Sequence, residues 1–74
     1  MDANDLDERL MSAHSVGNTL ALVNLYSEAA DVAESSGDID RACFYLTHAF
    51  VYGLELGHPL TSELNRRLVA HGRS

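Results

Sequence analysis

Lysine and tryptophan are absent from this 74-residue chain, and cysteine and proline occur once each. A single cysteine, Cys43, cannot close an internal disulfide, so the oxidised frameworks that hold many small secreted domains are excluded. Long apolar runs are also missing. The longest, Ala42 to Leu46, ends at Thr47 and falls far short of the roughly 18 residues of a membrane span. Positive charge is scarce: five basic residues, all arginine, face eleven acids, for a net charge of −6. That balance argues against nucleic acid, whose phosphates are held mainly by lysine and arginine. The exclusive use of arginine suggests the codon bias of a GC-rich bacterial genome. The opening residues Met1-Asp2-Ala3-Asn4-Asp5 are acidic where a secretory leader is basic, which sets the expectation of a cytoplasmic protein.

The charge is unevenly placed. Residues 1–40 hold nine acids against Arg9, a net of −8, and residues 41–74 hold four arginines against Glu55 and Glu63, a net of +2. A chain of this length makes one small domain, 1–74, and buries only about 60% of its unfolded surface. Without disulfides, a partner subunit is the ordinary source of extra stability.

Strand alternation is absent and helical periodicity fits throughout. The run Ser35-Ser36-Gly37-Asp38-Ile39 reads as a helix stop followed at once by a helix start. Gly37 suits the left-handed position that ends a helix, and Asp38 suits the cap of the next. An N-terminal helix and kink occupy 1–17, with Asn4 as a capped start, Leu6 and Leu10 on one face and Met11 and Ala13 nearby. At Gly17-Asn18 two readings stand: a fresh helix capped by Asn18, or one bent helix. A helical hairpin spans 18–56. In its first arm Leu22, Val23, Leu25, Tyr26, Ala29, Ala30, Val32 and Ala33 fill an arc of about 200°, wide enough to touch two neighbours. The second arm carries Ala42, Cys43, Tyr45, Leu46, Ala49, Phe50, Tyr52, Gly53 and Leu54 on an arc of similar width. Gly53 interrupts a helix at a cost of about 1 kcal/mol relative to alanine, which implies close approach by a neighbour. Gly57 ends the arm, and a capping helix over 59–70 begins at Pro59 with a seam of Leu60, Leu64 and Leu68.

Chemistry is hard to place. His14, His48, His58 and His71 form no HxxxH pair, so no metal site is expected. Cys43, between Ala42 and Phe44 on an apolar arc, reads as an inert core thiol rather than a nucleophile. The glycines form no phosphate-cradling loop. No catalytic residue and no cofactor are therefore expected.

Tyr26, Ala29, Ala30, Ala33 and Gly37, then Ala42 and Ala49 five and twelve residues after the glycine, resemble a tetratricopeptide-type helical repeat. Leu56-Gly57-His58-Pro59 followed by Leu64-Asn65 is similar to the longer repeat of the kinesin-light-chain type. The resemblance covers Tyr26 to about Leu68, one repeat and a following helix. It implies an all-α fold, a protein or peptide partner and no catalysis.

Phe44 and Val51 intrude on the thin polar side of the second arm. With His48 and Glu55 they follow one another at i, i+4, i+7 and i+11. Phe44, His48, Val51 and Tyr52 are accordingly the expected surface for a protein partner or for self-association. The leading expectation is a non-catalytic adaptor or accessory subunit. The alternative is a small acidic regulator, antitoxin-like or sigma-factor-binding, that acts through its acidic N-terminal half.

Overall fold

The computed structural model describes residues 3–72, and these form four helices: α1 (Ala3–Val16), α2 (Thr19–Ser35), α3 (Ile39–Leu56) and α4 (Thr61–Ala70). Consecutive helices pack on one another, α1 on α2, α2 most extensively on α3, and α3 on α4. The backbone measures 32 × 29 × 14 Å. The short dimension fits two layers of helices whose axes lie about 8–10 Å apart. The chain therefore zigzags, with α1 and α3 in one layer and α2 and α4 in the other. The core lies between them, built from Leu6, Leu10, Leu22, Val23, Leu46, Ala49, Leu64 and Leu68. Val23, Ala30, Ala42, Leu46 and Ala49 are fully shielded from solvent. The alanines among them allow α2 and α3 to lie close, as their spacing implied.

The joints follow one plan. At the α2–α3 turn Gly37 takes φ 78°, where a side chain would be strained. The Gly37 amide donates to Glu34 and the Asp38 amide to Ala33, which satisfies two terminal carbonyls of α2. Asp38 then accepts from the Arg41 amide at 3.1 Å and starts α3. The same sequence of events separates α1 from α2. The amides of Gly17 and Asn18 donate back to His14 and Ala13, and Asn18 accepts from the Ala21 amide at 3.1 Å. Two helices with a capped start, rather than one bent helix, occupy this region. At the third joint the amides of Gly57 and His58 bond back to Leu54 and Gly53.

Several expectations need correction. Asn4 lies inside α1 and does not begin it. The last helix begins at Thr61, not Pro59. The Leu60 amide donates to His58 Nδ1 and the Thr61 amide to the His58 carbonyl, so a turn takes up the intervening residues. Leu60 consequently leaves the seam and is exposed, and Leu64 and Leu68 are the buried side chains of α4. Val32 and Leu54 were placed on core-facing arcs and are exposed, as is Met11 beside the face of Leu6 and Leu10. For Val32 the cause is specific: it lines a gap between α1 and α3 that neither helix fills.

Candidate functional site

Four residues of α3 were expected to form a partner surface, and the structure sorts them into two kinds. Phe44 and Val51 stand out from the molecule, 57% and 47% exposed. His48 and Tyr52 are half-buried, drawn inwards onto Tyr26 of α2. The Tyr26 ring stacks on His48 at 5.0 Å between centroids and on Tyr52 at 6.0 Å, and it lies 6.1 Å from Tyr45. Phe44 meets His48 at 4.4 Å and Tyr45 at 5.6 Å. Exposed and half-buried rings therefore form one continuous tier, rooted in the core through Tyr26.

The histidines in this tier are held by neighbouring side chains and carbonyls. His48 Nδ1 donates to the Phe44 carbonyl at 2.8 Å, one helical turn back. His14 Nε2 shares a hydrogen bond of 2.9 Å with the Tyr26 hydroxyl, and its ring packs edge-on against Tyr52 at 6.1 Å. Burial, with the neighbouring Tyr52 and Tyr45, raises the Tyr26 pKa, so the ring remains a neutral phenol across the physiological range. Among the described residues no group of three or more His, Cys, Asp or Glu side chains could hold a metal ion. Cys43 is 4% exposed, packed into the core behind the tier.

A second feature was not foreseen. His14 and Tyr52 bring α1 and α3 together at one end of their shared layer, and towards the other end the two helices part. The gap is a groove of about 270 Å³. Ala29, Val32 and Ala33 of α2 line it between Leu6 of α1 and Tyr45 of α3, and Asp7, Glu28 and Asp38 stand around it. More open hollows continue from Tyr45 past Phe44 and His48 to Val51 and Glu55. The only sequence signal for the groove was the pair of alanines Ala29 and Ala33, which read equally well as helix-packing positions.

On the other layer, α4 is tied to α2 by charge. Arg67 pairs with Asp31 at 2.8 Å and with Glu34, and His71 Nε2 donates to Glu34 at 2.7 Å. The bonds from His71 and Arg67 hold the Glu34 carboxyl below its ordinary pKa, against the opposing pull of burial.

No helix is long and apolar enough to cross a membrane among the described residues. Comparison with protein-family models, curated proteins and solved structures found no match to this chain.

Proposed function

We propose that this chain is a non-catalytic protein-interaction module, a small adaptor or accessory subunit whose contact surface is the outer face of α3. The observation that carries the proposal is the ring tier. Phe44 and Val51 are exposed, and His48 beside them is stacked on Tyr26. Scattered exposed hydrophobes are ordinary, but a continuous patch rooted in the core is a recognition feature. Aromatic anchors held in one orientation lose little freedom on binding, which is why they dominate interface energetics. The zigzag of sequence-adjacent helices, with small residues at the α2–α3 crossing, supports the tetratricopeptide-like reading. The acid-rimmed groove beside the tier favours a second reading, a regulator that captures a basic protein surface through its N-terminal half.

The test is the double substitution Phe44→Ser with Val51→Ser. Neither side chain lies in the α2–α3 seam, so circular dichroism should show helicity nearly unchanged. Self-association by sedimentation, or capture of a partner from the native host, should weaken by about tenfold or more on loss of an aromatic anchor. Unaltered association in a folded double variant would remove the α3 face as the interface.

A further inference from the structure

The groove between α1 and α3 has a chemistry of its own. The small residues Ala29 and Ala33 are part of its lining and leave room for a larger side chain from an occupant. Val32 beside them is 56% exposed and makes the surface apolar where an occupant would sit. Its surround is acidic: Asp7 from α1, Glu28 from α2 and Asp38 from α3 converge there, and Asp40 and Glu55 flank the hollows that continue along α3. Arg41 lines the groove 3.6 Å from Asp38 and Arg9 lies 3.4 Å from Glu28, so two arginines offset part of the charge of Asp7, Glu28, Asp38 and Asp40 and leave the surround net acidic. The arrangement presents an apolar slot with a net acidic surround.

Resting on the interaction-module reading above, we infer that the occupant of this groove is a basic amphipathic segment of a partner protein. One large apolar side chain enters between Leu6 and Tyr45, and lysine or arginine flanks it against Asp7, Glu28 and Asp38. The complementarity of charge selects this occupant over a second copy of the chain. Every arginine among the described residues is already in an ion pair of its own molecule: Arg9 with Asp5 and Glu28, Arg41 with Asp38, Arg66 with Glu63, and Arg67 with Asp31 and Glu34. A copy would have to break such pairs to answer the acidic surround. A foreign segment has no such internal pairs to give up: its cations meet Asp7 directly and share Glu28 with Arg9 and Asp38 with Arg41.

The probe is a labelled synthetic amphipathic helix of leucine and lysine, with a leucine–glutamate twin as control. Fluorescence anisotropy with the whole chain should show binding of the lysine peptide only, weakening as salt is raised. Backbone NMR shifts should concentrate at Ala29, Val32, Ala33 and Tyr45. Asp7→Asn with Glu28→Gln should weaken binding about tenfold, whereas Asp31→Asn with Glu63→Gln, an equal change of net charge at residues that do not line the groove, should stay within about twofold. Equal weakening by both pairs, equal binding of the glutamate twin, shifts mapping elsewhere, absence of binding, or a wild-type dimer closed through the groove would each overturn the inference. The shift map uses the wild-type chain, so the result does not depend on a variant folding. The two surfaces also fail separately. Peptide binding that survives Phe44→Ser with Val51→Ser would support the groove alone. Association that depends on those residues without peptide binding would support the α3 face and refute this occupant.

Discussion

A methyl group added to Gly53 would sit 2.6 Å from Thr61 Oγ1, at the start of α4. That hydroxyl is buried and has no hydrogen-bond partner. Gly53→Ala should therefore lose more through overpacking, about 1–3 kcal/mol, than the roughly 1 kcal/mol it gains in helix propensity. In a Thr61→Ala background the obstructing oxygen is gone, and the same substitution should stabilise by about 1 kcal/mol. Urea midpoints of the four proteins in this cycle measure the reversal of sign. Cys43 gives a second residue-scale expectation: labelling of its thiol should be slow in the folded protein and fast in denaturant. Rapid stoichiometric reaction under native conditions would mean that the core opens at this point. Both positions were legible in part. A mid-helix glycine announced a close neighbour, and an apolar arc announced a buried thiol. The identity of Thr61 was not legible, because it depends on how the Gly57–Leu60 turn is spent. The exposure of Val32 escaped the helical wheel, which knows the face a residue occupies but not where the neighbouring helix ends.

Each helix stop is also the next start across the Gly17-Asn18 and Gly37-Asp38 pairs; the second was readable as glycine followed by a capping side chain, whereas at the first the same pattern left one bent helix open. Asp38→Ala should cost about 1 kcal/mol through loss of the bond to the Arg41 amide, read as a lower denaturation midpoint. Asp38→Asn keeps an acceptor and should cost much less. The start of α4 was misread because proline is favoured in a first helical turn, whereas here His58 claims the Leu60 amide first. The bonds between α4 and α2 add a dependence on pH. Glu34 has a lowered pKa in the fold, so its contribution to stability is present above the ordinary carboxyl value of 4.5 and is lost as pH falls through the lower, folded value. Thermal unfolding of the wild type should thus lose midpoint below about pH 4.5 more steeply than that of Glu34→Gln. Parallel loss in the two proteins would show that the acid sensitivity arises at other carboxylates.

Taken whole, the all-α architecture was readable because every segment carried a period near 3.6 and every joint carried its own signal. The layer in which each helix lies was not, since one amphipathic face does not say which of two neighbours it meets. The same gap governed the two surfaces. Phe44 and Val51 stood out as intruders on a polar face, a property of one helix. The groove belongs to three helices at once and requires the divergence of α1 from α3, for which no single segment holds a pattern. That zigzag has a kinetic meaning. Each extensive packing surface joins helices adjacent along the chain, so little loop entropy is lost before contacts form. Low contact order of this kind places folding in the microsecond-to-millisecond range. It also leaves α1 and α4 each packed mainly on a single neighbour, so amide hydrogen exchange should release both at lower free energy than the α2–α3 pair. Opening of α1 alone removes one wall of the acidic groove while the ring stacks on Tyr26 from α3 stay in place, so the life of that groove is timed by the detachment of one helix rather than by unfolding of the molecule.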